Sequence, residues 1–315
     1  YATTSVVYSL SAVMITYEMS YKIANTSWIQ LLFSGVVIAG ICLFHSSLRQ
    51  VILVQLVLLS ILFVLVVLPF LTDALSNPYK HQAHGVFQPV RLIRHASEDE
   101  VISEFLKSDF DTPVFRDYHE ALGDIVMHPD LDNLGENAKR RALFFIRHRA
   151  LWSEIPAGTE WYEIELNLSD LAQIRVFPRA QWKNIAQGHF SILEVAESMK
   201  KRESVIDDKF FVKLTEIGDR LGQEDHGIGP VVLIGISETE PLTILDGNHR
   251  LVAAILASPN RVNKLRVLCG LSPKMMECCW YNTNLGTLVR YGTNILKGAV
   301  RSPKSELARL LQSSS

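Results

Sequence analysis

The stretch "LTILDGNHRLVAAILA", residues 242–257, sets Asp246, Asn248, His249 and Arg250 around Gly247, with apolar sequence on both sides. A carboxylate, an amide, an imidazole and a guanidinium so close together suit work on an anion. The apolar strand predicted before them ends at Asp246, the chain turns at Gly247 and Asn248, and a helix opens at about His249. Glycine and asparagine tolerate the left-handed backbone of so tight a turn. The first N–H groups of the helix then face the space above the strand end, where the helix dipole adds partial positive charge. Arg250 can grip phosphate oxygens through two N–H groups, and His249 can donate a hydrogen bond or carry a proton. Asp246 can hold Mg²⁺ on that phosphate or take a proton from an attacking hydroxyl. The candidate site is therefore Asp246 and His249 for catalysis, Gly247, Asn248, His249 and Arg250 for phosphate binding, and Asp246 for a metal through Mg²⁺. The plainer alternative is an ordinary helix cap with a solvated His–Arg pair. Against it, "LVAAILA" has almost no polar face, so this helix is expected to be buried, and polar groups on a buried helix need partners.

Several elements must position that turn. "PVVLIGI" (230–236) reads as a buried strand, "SETEP" as a turn, "LTILD" as the strand leading to the site, and "KLRVLCGL" (264–271) as a further strand. Ser97 followed by "EDEVISEFLKS" is a capped helix start with acids in the first turn. "NAKRRALFFIRHRALW" (137–152) is a helix carrying Lys139, Arg140, Arg141, Arg147 and Arg149, which suits either a solvated face or contact with anionic headgroups. Residues 161–178 alternate in strand fashion and break at Asn167 to Asp170, and "FSILEVAESMKKRE" and "DDKFFVKLTEIGDRLG" read as helices. Helices between strands predict an α/β or α+β domain.

Other residue types capable of chemistry lead less far. His81 and His84 lie in a polar, Pro- and Gly-broken segment that reads as a linker, with no third ligand near. The four cysteines, Cys42, Cys269, Cys278 and Cys279, show no C-x-x-C spacing and no disulfide framework, and the adjacent pair would be nucleophilic only beside a base. Asn282, Asn284, Tyr281 and Tyr291 suit a base- or sugar-reading surface or a packed C-terminal helix with a polar turn. A net charge of -2 over 315 residues gives no global basic field for nucleic acid.

The front of the chain differs in texture. Between Tyr1 and Thr72 the only charges are Glu18, Lys22 and Arg49, and residues 28–45 and 51–71 are uncharged. Runs of that length predict helices able to cross a hydrocarbon layer of about 30 Å. The expected organisation is transmembrane helices in 1–72 (spans 5–20, 28–45 and 51–71), a linker over 73–90, a helical and mixed region over 91–172, an α/β domain over 173–275 and a helical extension over 276–315. Lys80, Arg91 and Arg94 after the last span place the larger part in the cytoplasm by the positive-inside bias.

Two resemblances add to this. "YEMSYKIANTSWIQLLFSGVVIAGI", within residues 3–72, resembles the late transmembrane helices of polysaccharide flippases, which implies the tail of a longer transporter. "LTILDGNHRLVAA" resembles the strand–turn–helix of the ParB/sulfiredoxin superfamily over residues 175–270, with "IRVFPRAQW" as its entry strand. In that superfamily a G-x-x-R or G-x-H-R signature grips a nucleotide's phosphates. Sulfiredoxins read G-C-H-R with a reacting cysteine, and Asn248 stands at that position here. The D-G-H-H-R of the ADP-dependent free serine kinases is the nearer match. The resemblance implies that His249 and Arg250 contact phosphate, that Asp246 serves metal or base chemistry, and that the ligand is ATP, ADP or CTP with Mg²⁺. No helix-turn-helix follows the motif, so ParB-like DNA loading is not expected. The expectation is thus two or three transmembrane helices in a lipid bilayer, followed by a ParB/sulfiredoxin-like α/β domain. That domain binds a nucleotide or phosphorylated small molecule, with phosphoryl transfer or hydrolysis as its chemistry. The alternative is the end of a flippase-like membrane protein with an accessory domain.

Overall fold

Val231–Gly235 and Val267–Leu271 are buried at every position, which fits strands inside a sheet covered on both faces. They are the central pair of a six-stranded mixed sheet in the computed structural model. It describes residues 87–177, 190–201, 208–222, 229–299 and 303–312, Trp182, Ile185 and scattered positions within 36–61. In chain order the strands are β1 (Arg91–Ala96), β2 (Glu160–Glu165), β3 (Ile174–Arg175), β4 (Val231–Gly235), β5 (Leu242–Asp246) and β6 (Val267–Leu271). Across the sheet they run β1-β2-β6-β4-β5-β3. β1 with β2, β2 with β6, and β4 with β5 are antiparallel; β4 with β6 and β3 with β5 are parallel. One sheet therefore joins residues on both sides of the boundary expected at 172.

Eight helices accompany the strands among the described residues of this region: α1 (Glu98–Asp109), α2 (His119–Met127), α3 (Leu134–Trp152), α4 (Ile192–Lys201), α5 (Asp208–Gly222), α6 (Asn248–Ala257), α7 (Leu285–Ala299) and α8 (Pro303–Gln312). Local chemistry sets several of their starts. Ser97 caps α1 by accepting from the Glu100 N–H, and Asn133 caps α3 by accepting from Gly135 and Glu136. Phe105, Phe144, Trp152 and Trp161 form an aromatic cluster between α1, α3 and β2, with Trp152 stacked on Trp161 at 5.4 Å. Glu100 and Glu163 share Arg94 and Arg266, tying α1 to β1, β2 and the start of β6. On α6, Leu251, Val252, Ala253, Ala254 and Ile255 are buried, and the helix lies against α5.

The chain divides into two units, residues 1–77 with 178–184 and residues 78–177 with 185–315. Of the first, little is described beyond a helical start at Gln50–Val54 that follows Ser47. The expected fold class, transmembrane helices ahead of an α/β domain, needs correction. No helix of the described residues is long and apolar enough to cross a membrane. What is described is a mixed α/β domain on a six-stranded sheet, and the expected multi-pass membrane protein is not supported. The physical reason is that most of these helices carry polar faces that hydrocarbon would not solvate, and the apolar α6 has only ten residues, too few to cross. Even the longest, α3 with 19 residues, carries Lys139, Arg140, Arg141, Arg147 and Arg149. The expected spans 5–20, 28–45 and 51–71, and most of the 73–90 linker with His81 and His84, lie outside the described residues apart from scattered positions.

Candidate functional site

β5 delivers Asp246 to the edge of the core, and the backbone then reverses through Gly247 at φ 94° and ψ 17°. Two constraints select glycine there. The left-handed conformation disfavours a side chain, and an added Cβ would meet Val231 Cα at 3.0 Å and its Cγ2 at 3.2 Å. The turn is thus pressed against β4. α6 begins at the next residue with no side-chain cap, which leaves its N-terminal N–H groups to other acceptors.

Each expected site residue falls on this turn or the first turn of α6. Arg250 donates from Nη2 to Asp246 Oδ2 at 2.6 Å and from Nη1 to the Pro230 carbonyl. Both ends of its fork are occupied within the protein, and Asp246 is an ion-pair partner, with one-third of its side chain exposed. Asn248 is 8% exposed, and its Oδ1 is buried with no partner among the described residues. Burial pushes the His249 imidazole down to about 4, assisted by the charges of Lys213 and Arg250 and opposed by Asp246. At neutral pH His249 is therefore an uncharged ring, suited to donate one hydrogen bond and poorly suited to serve as a base. Among the described residues no group of three His, Cys, Asp or Glu side chains could hold a metal ion.

A second cluster closes on the same point from α1 and α3, and the sequence had not announced it. Asp109, the last residue of α1, accepts from His148 Nε2 at 2.7 Å and lies 3.5 Å from Arg147 Nη1. His148 is stacked on Phe144, with ring centroids 4.9 Å apart, and is also packed against Phe105. Burial pushes the Asp109 carboxyl up, but the His148 hydrogen bond and the charges of Arg147, His148 and Arg250 outweigh it and hold it below its ordinary value. Gly229 marks the meeting place, since a Cβ there would come within 2.8 Å of Ser108 Oγ and 3.3 Å of Arg250 Nη1. No spacing rule pairs residues 39 apart on different helices; the only signal was a histidine flanked by arginines on a helix with an aromatic face.

Comparison of the chain with protein-family models, curated proteins and solved structures finds no match.

The basic helix resolves differently from a headgroup-binding face. Arg140 is 1% exposed and donates to the carbonyls of Ile125 and Asp130, joining the end of α2 to α3. Arg141 pairs with Glu98 and Asp99, and Arg147 with Asp109. The C-terminal polar residues are likewise used internally. Asn284 Oδ1 accepts from the Thr287 N–H at the start of α7, Asn282 donates to Met276, and the Tyr281 hydroxyl donates to the Pro241 carbonyl. Tyr291 packs edge-on against Trp280. Cys278 and Cys279 are buried, and burial pushes the Cys278 thiol up to about 12 and Cys279 further, so neither is a thiolate at neutral pH.

Proposed function

We propose that residues 246–250 form an anion site that takes the phosphate of a nucleotide or phosphorylated small molecule, as the resemblance to the ParB/sulfiredoxin superfamily implies. One observation carries the reading: a helix of ten residues starts without a side-chain cap behind a left-handed glycine, with an arginine in its first turn. Such a helix end attracts anions through its N–H groups and its dipole. Arg250 adds positive charge already held in place by Asp246 and Pro230, and a preorganised group loses less freedom on binding. The unpartnered Asn248 Oδ1 is an acceptor and would suit a donor such as a hydroxyl of the ligand, not a phosphate oxygen.

Binding fits the arrangement better than catalysis does. Asp246 would have to leave Arg250 before it could accept a proton or a metal, and His249 holds a proton poorly. Asp246 is the one carboxylate of this turn and is paired with Arg250, so Mg²⁺ would arrive with the nucleotide rather than wait in a protein cage. ATP, ADP and CTP with Mg²⁺ are the ligands to try first. The test is thermal unfolding of the full chain with each of them, for the native protein and for Arg250→Ala. A shift in the native protein that is lost in Arg250→Ala supports the site. No shift with any nucleotide, or an equal shift in the variant, removes it. Turnover of the bound nucleotide, followed by phosphate release, then separates an enzyme from a binding module.

A further inference from the structure

Asn248 opens α6 and is 8% exposed, yet its buried Oδ1 has no hydrogen-bond partner among the described residues. A buried acceptor without a donor is costly, so such an atom calls for a partner. The strongest donor of the turn is committed elsewhere. Arg250 gives one arm of its fork to Asp246 Oδ2 at 2.6 Å and the other to the Pro230 carbonyl. The first helical hydrogen bond runs from the Leu251 N–H to the Gly247 carbonyl at 3.0 Å. The N–H groups of Asn248, His249 and Arg250 therefore lie ahead of the helical ladder, at the end that attracts an anion. Helical Cα–Cβ bonds lean toward the N-terminus, so the side chain of this first residue leans toward that same end. An acceptor and a set of anion-binding donors thus stand together at one helix start. They suit different atoms: N–H groups take ionised phosphate oxygens, whereas the amide oxygen takes only a hydrogen donor. An ionised phosphate cannot satisfy both.

We propose that Asn248 is a specificity-determining residue of the 246–250 site: its Oδ1 accepts from a hydroxyl on the carbon skeleton of a phosphate ester whose phosphate lies on the start of α6. This rests on the anion reading of that site and names the ligand class. The ligand is a hydroxylated phosphate ester, such as a ribonucleotide or a sugar phosphate, rather than the ester of an apolar alcohol. Gly247, pressed against Val231, and the buried Leu251 hold the backbone on either side of Asn248. Its Oδ1 is covered by its surroundings, and the broad torsion about Cβ–Cγ lets the amide turn to meet the hydroxyl. An analogue without the hydroxyl leaves the acceptor unpaired, which is how such a site rejects it. One net hydrogen bond to an otherwise unsatisfied acceptor is worth roughly tenfold in affinity.

The test uses two ligand pairs that differ only in carbon-bound hydroxyls: ADP with 2′,3′-dideoxy-ADP, and glycerol 3-phosphate with propyl phosphate. Affinities for the full chain are measured by calorimetry, with Mg²⁺ throughout, in the native protein, Asn248→Leu and Asn248→Asp. Working at about pH 8 keeps the esters ionised, since the second phosphate pKa is about 6, so no P–OH donates in place of the hydroxyl. The expected result is that the native protein favours the hydroxylated member of at least one pair by roughly tenfold. Asn248→Leu keeps the branched outline without the acceptor and should bring that ratio to about one, through weaker binding of the hydroxylated member alone. Asn248→Asp keeps an acceptor and should retain the preference, while its charge weakens both members. Ratios near one for both pairs in the native protein overturn the inference, the result expected of an acceptor satisfied by water alone. A native preference that survives Asn248→Leu overturns it too, because the hydroxyl is then read elsewhere. In both cases, binding that is lost in Arg250→Ala leaves the anion site standing. If Asn248→Leu does not fold, Asn248→Ala takes its place and is read the same way. Failure of the native protein to bind any of the four removes the anion site and this inference together.

Discussion

Gly247→Ala is the perturbation whose cost is worked most directly from the turn. The residue sits at φ 94°, and a Cβ would stand 3.0 Å from Val231 Cα, a backbone atom in the middle of the sheet. The left-handed conformation costs a non-glycine residue roughly 1–2 kcal/mol. Forcing the turn away from β4 is an overpacking strain of roughly 1–3 kcal/mol. Gly158 supplies the control, because it adopts φ 79° with nothing within 4 Å of its Cβ position. Gly158→Ala should bear the conformational cost alone. For a domain of this size each kcal/mol lowers the melting temperature by about 2–4 °C. Thermal melts of the full chain by circular dichroism should therefore drop by about 10 °C for Gly247→Ala and about 4 °C for Gly158→Ala. Nucleotide shifts should weaken in the first and persist in the second. Equal drops would refute the claim that the turn is pressed against Val231.

The other expectations follow from neighbouring groups. His249 has a folded-state value lowered from 6.5 to about 4, so the folded protein holds fewer protons there than the unfolded chain. Stability from this group is present above pH 6.5 and lost as pH falls toward 4, by at most about 3 kcal/mol before screening is counted. Native and His249→Gln proteins should converge at neutral pH and diverge in acid, the variant being relatively more stable there; parallel stability curves would contradict it. Arg140→Met removes the donors to the Ile125 carbonyl in α2 and the Asp130 carbonyl in the loop before α3 and should destabilise by about 3–5 kcal/mol, read as a lowered urea midpoint. Leu251→Ala on the buried face of α6 should cost about 2–5 kcal/mol, whereas Leu134→Ala, at an 81% exposed position, should change the midpoint little.

Much of the local architecture was legible from residue order, and the failures share one cause. Short continuous apolar runs bounded by turn residues marked β4 and β5, and the Ser97 cap marked α1, because those signals act over a few residues. Gly247 was legible as a turn residue for the same reason, but the pressure from Val231 was not, since β4 reaches the turn only through sheet pairing. The five basic residues of α3 looked alike in the sequence. One of them, Arg140, is buried against carbonyls from α2, and Arg147 belongs to the Asp109 cluster. Uncharged length predicted membrane helices over 28–45 and 51–71, yet no described helix has both the length and the apolar composition to cross.

The sequence by itself determined where the chain bends and which residue types occupy the bend, since capping, glycine conformation and apolar period are short-range properties. Tertiary structure alone decided which charges meet. Asp109 meets His148, and Ser108, Gly229 and Arg250 come together, because β4 and β5 bury one face in the core that α1 and α3 share and α6 follows directly from β5. The energy of those meetings depends on distance and burial, and neither is written in the order of residues.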